Sequence, residues 1–131
     1  PSLLIKGGAR LGSRVKVLMV EDDEVIADAL SFMLTGAGFS VEVAHSGREG
    51  LAMVETFAPD VVVIDLSLPD VGGDVVAFTI RSDWPEMGLI ISTGHDRPAQ
   101  LERLLGDGRT LFLQKPYDVD SLEAMIRGLA D

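Results

Sequence analysis

The sequence predicts an α/β fold in which helices cover both faces of a parallel, doubly wound sheet in a single domain. Short apolar runs, rich in β-branched residues, alternate five times with segments of helical periodicity. Most of these runs lack the polar alternation of a half-exposed strand, so we expect both their faces to be covered. This alternation favours right-handed crossovers between parallel strands.

Composition narrows the class of protein further. A chain of 131 residues is long enough for one domain with a substantial core. Its 21 acidic and 11 basic residues give a net charge of −10, which argues against a surface that binds nucleic acid or an anionic membrane. The chain has no cysteine, which excludes disulfides and thiolate sites and favours a cytoplasmic location. No apolar run is long enough to span a bilayer.

Residues 1–59 are predicted to form a tail, two strands and two helices. Residues 1–14 are rich in glycine and basic residues and indicate a tail or linker. Residues 15–20 form the first predicted strand, and apolar residues at helical spacing follow it until Gly36 and Gly38. Residues 40–44 alternate apolar and polar residues, which is typical of a strand near a sheet edge. Ser46 and Glu49 form a capping box that opens a helix, and Pro59 ends it.

The third predicted strand is the most informative stretch of the chain. Val61 to Ile64 are four β-branched residues in succession, and the run ends on the carboxylate of Asp65. A helix is predicted from Asp74 to about Ser82, followed by a strand over residues 89–92. The remaining predictions are a short helix with Pro98 in its first turn, a strand over residues 111–113, and a final helix whose apolar residues are Leu122, Met125, Ile126 and Leu129.

Polar residues follow four of the five predicted strands. Parallel strands end at the same edge of a sheet, where open α/β folds build their sites. The residues at this edge are Glu21, Asp22 and Asp23 after the first strand, Asp65 after the third, Thr93 after the fourth and Lys115 after the fifth. Clustered carboxylates repel one another unless a cation lies between them. Carboxylate ligands of this kind favour Mg²⁺, which also takes phosphate oxygens.

A hydroxyl and an ammonium beside such a metal site suggest phosphoryl transfer. Asp65 is the predicted nucleophile, and Asp22 with a neighbouring acid is predicted to hold Mg²⁺. Thr93 would donate to a phosphoryl oxygen, and Lys115 would neutralise another. Each residue alone also fits an ordinary turn, cap or surface role.

Four motifs resemble those of response-regulator receiver domains of two-component signalling. They are VLMVEDD ending at Asp23, VVVIDLSLP ending at Pro69 with Gly73 beyond it, IISTG ending at Gly94, and QKP ending at Pro116. They occur in the family's order and at its usual separations, and the resemblance covers residues 15–131. It implies a flavodoxin-like (βα)5 domain with strand order 2-1-3-4-5 and a cis Lys115–Pro116 bond.

The resemblance also implies a set of roles. Asp65 would accept a phosphoryl group from the phosphohistidine of a histidine kinase or a histidine phosphotransfer protein. Mg²⁺ would be held by Asp22 directly, by Glu21 through water, by Asp65 and by the backbone carbonyl of Ser67. Asp23 matches no ligand of the family.

A conformational switch is implied as well. On phosphorylation the Thr93 hydroxyl would move toward the phosphoryl group, and Phe112 would turn inward and change an interaction face. The expected function is therefore a stoichiometric switch rather than an enzyme with an external substrate. The alternatives are an aspartyl-phosphate phosphohydrolase, although Ser67 occupies the position of its usual second aspartate, and an interaction module that works without phosphorylation.

Overall fold

The computed structural model describes residues 14–94, 99–104 and 106–131. The predicted tail, residues 1–14, lies outside this part of the chain except for Arg14, as do Pro98 and Leu105 of the predicted short helix. The elements in order are β1 (Lys16–Val20), α1 (Glu24–Gly36), β2 (Ser40–Ala44), α2 (Gly47–Phe57), β3 (Val61–Asp65), α3 (Gly73–Asp83), β4 (Gly88–Thr93), a 3-10 helix (Ala99–Leu104), β5 (Thr110–Gln114) and α4 (Val119–Ala130).

The strands form one five-stranded parallel sheet in the order β2-β1-β3-β4-β5. This confirms the predicted fold class and strand order. β3 lies in the middle of the sheet and is buried throughout, as its unbroken run of β-branched residues predicts. β2 lies at the edge and keeps its polar alternation, with Glu42 exposed. The polar alternation of β2 thus matches its place at the edge of the sheet.

Two apolar cores lie on opposite faces of the sheet. Alternate strand residues such as Leu18, Val62 and Ile91 pack against α2, α3 and the 3-10 helix. Their neighbours in sequence, including Met19, Val63 and Ile90, pack against α1 and α4. Because side chains of a strand alternate between faces, a continuous apolar run fills both cores at once. No helix within the described residues has the length and apolar character needed to cross a membrane.

The fourth crossover contains a short helix, as the sequence predicts. Its helical part is a 3-10 helix of six residues, Ala99–Leu104, whose Leu101 and Leu104 are buried against the sheet. Gly106 and Gly108 both have positive φ and follow within four residues of its end, so there is room for only a short helix before β5 begins. The other crossovers contain the α-helices that the apolar periodicity predicts.

Candidate functional site

Backbone hydrogen bonds fix the strand ends that carry the polar residues. The Glu21 N–H donates to Ala44 O at 2.9 Å, and the Leu66 N–H donates to Ser92 O at 3.1 Å. The Lys115 N–H donates to Thr93 O at 2.7 Å, directly after β5. These bonds continue the sheet by one residue beyond its strands, so the side chains at the edge project from a rigid frame.

Three carboxylates meet at this edge. Glu21, Asp22 and Asp65 each offer an oxygen, and these oxygens all lie within 4.8 Å of one another. Glu21 and Asp65 are buried at 5% and 6% exposure, whereas Asp22 is exposed. Lys115 Nζ lies 3.5 Å from Asp65 Oδ2 and 3.8 Å from Glu21 Oε1. One ammonium beside three carboxylates leaves an excess of negative charge, which fits a hard divalent cation with oxygen ligands.

The remaining predicted residues surround this cluster. Ser67 is exposed, and its N–H donates to Asp65 Oδ1 at 3.0 Å. Thr93 is the buried last residue of β4, one position beyond Ser92, which pairs with Asp65 in register. Phe112 lies on β5 and is half-buried against the core on the α3 face. The structure therefore brings the predicted site residues to one edge, with Phe112 behind it, and the Lys115–Pro116 bond is cis as the resemblance implies.

Asp23 has a structural role next to the cluster. It is the N-cap of α1, and its Oδ1 accepts from the Val25 and Ile26 N–H groups at 3.0 and 3.1 Å. Its own N–H donates to Glu21 Oε2 at 3.1 Å. The third acid of the motif therefore begins the helix and orients Glu21.

Glu21 is electrostatically unusual. Burial, together with the nearby charge of Asp65, raises the pKa of Glu21 to about 7, and the Asp23 N–H and Lys115 offset only part of this effect. When no cation is bound, the neutral form of Glu21 is thus favoured in the folded protein below about pH 7. A cation beside Glu21 would favour its charged form instead.

The raised pKa of Glu21 predicts an unusual pH dependence of the free energy of unfolding. The Glu21 pKa rises from 4.5 in the unfolded chain to about 7 in the folded one, so the unfolded state loses its proton first. Without Mg²⁺, the free energy of unfolding contributed by Glu21 should therefore fall as the pH rises from about 4.5 to about 7. Urea denaturation at a series of pH values across this range measures the fall in the free energy of unfolding. Glu21→Gln should remove the slope, and a wild-type slope that survives this substitution would contradict the assignment.

Sequence reasoning missed one polar residue of the loop after β3. Asp70 accepts from the Gly47 N–H at 2.9 Å and from the Arg48 N–H at 3.1 Å at the start of α2. No local motif indicates this contact because the partners lie 23 and 22 positions away in sequence.

The predicted capping box at the same helix is confirmed in one of its two bonds. The Glu49 N–H donates to Ser46 Oγ at 3.1 Å. The reciprocal bond differs, since Glu49 Oε1 accepts from the His45 N–H at 3.3 Å, one residue before the cap. Asp70 accepts hydrogen bonds from the Gly47 and Arg48 N–H groups of the first turn. The N–H groups at the start of α2 therefore donate to acceptors from two separate parts of the chain.

Known proteins share both the sequence and the fold. A family model described as the response regulator receiver domain matches residues 17–127. The transcriptional regulatory protein TrcR of Mycobacterium tuberculosis is 32% identical over 118 residues, which are 90% of this chain and 46% of TrcR. The response regulator MprA of Mycobacterium bovis is 32% identical over 115 residues, 88% of this chain and 50% of MprA. The chain thus spans about half the length of these relatives.

Solved structures show the same architecture. A CheY-like receiver domain protein from Methanospirillum hungatei has a TM-score of 0.83 and 28% identity, covering 91% of this chain and 95% of that one. The chemotaxis response regulator CheY4 of Vibrio cholerae has a TM-score of 0.78 and 28% identity, covering 89% and 99% of the two chains. The chain belongs to the response-regulator receiver domain family of two-component systems.

Proposed function

We propose that this receiver domain is a phosphoacceptor switch that carries the phosphoryl group on Asp65. The observation that supports this most strongly is the position of Asp65, a buried carboxylate with Lys115 Nζ at 3.5 Å and the oxygens of Glu21 and Asp22 within 4.8 Å. A carboxylate that only ends a strand gains no stability from two further carboxylates beside it. A carboxylate that receives a phosphoryl group requires a cation site and an ammonium nearby, which stabilise the charge of that group.

The proposed donor is a phosphohistidine on a histidine kinase or a histidine phosphotransfer protein. A carboxylate oxygen of Asp65 attacks phosphorus, the P–N bond breaks as the O–P bond forms, and the imidazole leaves. Lys115 stabilises the negative phosphoryl oxygens, and the Thr93 hydroxyl donates to one of them in the phosphorylated state. The Ser67 N–H holds the Asp65 carboxylate in a fixed orientation.

The acidic cluster fits Mg²⁺, which when bound would supply positive charge to the phosphoryl oxygens. Asp22, Asp65 and the Ser67 carbonyl would hold it, with Glu21 acting through water. The domain would catalyse only its own phosphorylation and hydrolysis and would turn over no external substrate. We also propose a cytoplasmic location, and a net charge of −10 supports a protein partner rather than nucleic acid or membrane for this chain.

A small acyl phosphate tests this function without the unknown kinase. Incubation of the protein with acetyl phosphate and Mg²⁺ should add one phosphoryl group, measured on the intact protein by mass spectrometry, and EDTA should prevent the addition. An unchanged mass would support the phosphorylation-independent alternative. Multiple turnover on a small phosphomonoester would instead support a phosphohydrolase.

An exposed apolar face beside the site supports a protein as the physiological donor. Val25 and Ile26 in the first turn of α1 are 79% and 39% exposed. Ile26 lines an open groove with Ala29 and Leu30 on one side and with Lys115, Pro116 and Tyr117 on the other. A donor that binds there would bring its phosphohistidine to the edge that carries Asp65.

A neutral polar substitution in this groove should separate the two kinds of donor. Ile26→Asn should slow phosphoryl transfer from a phosphorylated histidine-kinase core by about tenfold or more, since an apolar contact of the docking face is lost. The rate with acetyl phosphate should stay unchanged because this small donor needs no docking surface. Val75→Asn, at an exposed apolar position on α3, is the matched control and should affect neither rate. Equal losses with both donors would place Ile26 in the site itself.

A further inference from the structure

Helix α2 is joined to the loop between β3 and α3 by two independent features. The Asp70 carboxylate accepts from both the Gly47 and the Arg48 N–H groups, at 2.9 and 3.1 Å. Gly47 is buried so closely against this loop that a Cβ at its position would lie 2.9 Å from Val71 O. The first turn of α2 and residues 70–71 therefore form one packed junction.

The Asp70 carboxylate is the polar part of this junction. Backbone N–H groups, those of Gly47 and Val71 above all, lower the pKa of Asp70 to about 2, so it stays charged at any pH at which the protein would work. The Arg48 side chain contributes little, because it is 82% exposed and its Nε lies 3.8 Å from the carboxylate. The bond between the loop and α2 thus depends mainly on the two backbone donors and the positive end of the helix.

The same loop carries the proposed carbonyl ligand of the metal site. Ser67 lies three residues before Asp70, and between them Leu68 is buried in the core and Pro69 has a restricted φ. At its two ends the loop is held by the Leu66 N–H on Ser92 O at 3.1 Å and by the Gly73 N–H on Leu66 O at 3.3 Å. The segment between Ser67 and Asp70 therefore has few freely rotating dihedral angles. A displacement of Asp70 should for this reason also displace Ser67.

We propose that Asp70 is a positioning residue of the magnesium site, which it supports by fixing the Ser67 carbonyl through the junction with α2. The inference rests on the proposed function, in which Ser67 supplies that carbonyl. Asp70 touches neither the acidic cluster nor the phosphoryl group. Its effect is to limit the movement of the loop, in the way that outer partners of a metal ligand hold the ligand in place.

Direct measurement of Mg²⁺ binding by calorimetry tests this without any phosphoryl transfer. Asp70→Ala should weaken Mg²⁺ affinity about tenfold, the lower end of the range for losing an outer partner of a ligand. Asp70→Asn loses the same charge but keeps an oxygen that can accept from Gly47, so its affinity should lie closer to that of the wild type. Equal affinities in the two variants would show that only the charge matters and would overturn the proposal.

A second control separates the junction from the helix that it joins. Ser46→Ala removes the other acceptor at the start of α2 and leaves the loop contact intact, so it should lower the melting temperature but not the Mg²⁺ affinity. An Asp70→Ala affinity that matches that of Ser46→Ala would also overturn the proposal. If Asp70→Ala does not fold, Gly47→Ala, which must displace Val71 O, should weaken Mg²⁺ binding instead, and unchanged binding there is equally decisive.

The Gly73 N–H donates to Leu66 O at 3.3 Å in the same loop, so faster hydrogen exchange at the Gly73 amide in Asp70→Ala would show that loss of the junction loosens the loop. Failure of the wild-type protein to bind Mg²⁺ would refute the proposed function. Wild-type binding with no change in Asp70→Ala would refute only the role of Asp70.

Discussion

Asp65→Asn should abolish phosphorylation by acetyl phosphate in the presence of Mg²⁺. The amide is neutral and a poor nucleophile, so no oxygen at this position can form the acyl phosphate. The loss should not come from unfolding. Asp65 lies among like charges and helps to raise the pKa of Glu21, so its neutralisation relieves repulsion at the edge of the sheet.

The matched control for this substitution is Asp83→Asn. Asp83 is the exposed last residue of α3, and its substitution removes the same charge away from the site. It should accept one phosphoryl group as the wild type does. A phosphoryl group on Asp65→Asn, found by intact mass and mapped by peptide analysis, would assign the acceptor to another residue and contradict the proposed role of Asp65.

Gly73→Ala should impair both the stability and the phosphorylation of the protein. A Cβ on Gly73 would lie 2.5 Å from Asp65 O and 2.6 Å from Leu66 Cα. Both are backbone atoms, which cannot rotate away as a side chain can, so α3 and the end of β3 must separate. Overpacking of this kind costs about 1–3 kcal/mol of folding free energy. A shift of the nucleophile by as much as about 1 Å can slow the reaction about 100-fold.

Gly128→Ala is the matched control for Gly73→Ala. Gly128 lies within α4, is exposed, and has nothing within 4 Å of the position of an added Cβ. Alanine should stabilise this helix by about 0.5–1 kcal/mol and leave phosphorylation unchanged. Urea denaturation and initial rates with acetyl phosphate measure both effects. Wild-type stability and rate in Gly73→Ala would show that α3 and the end of β3 separate more easily than their backbone contacts indicate.

Local patterns were sufficient to predict the class of fold and most of its elements. The β-branched run from Val61 to Ile64 can be satisfied only where both faces of a strand are covered, and β3 lies at the centre of the sheet. The polar alternation of β2 likewise predicted its place at the edge. The short helix of the fourth crossover was also predicted, but two closely spaced glycines limit a helix without specifying whether it is α or 3-10.

The sequence by itself determined which residues gather at the edge of the sheet, since each follows a strand and parallel strands end together. Only the tertiary structure decided the pKa values of these residues and the contacts that hold the loop beside them. The raised pKa of Glu21 depends on burial beside Asp65, which is 44 positions away in the chain. The junction of Asp70 with α2 joins a loop and a helix that share no local motif. The apolar patterns of strands and helices are periodic and can be recognised in a sequence. The burial of Glu21 and the contact of Asp70 with α2 exist only once the chain has folded.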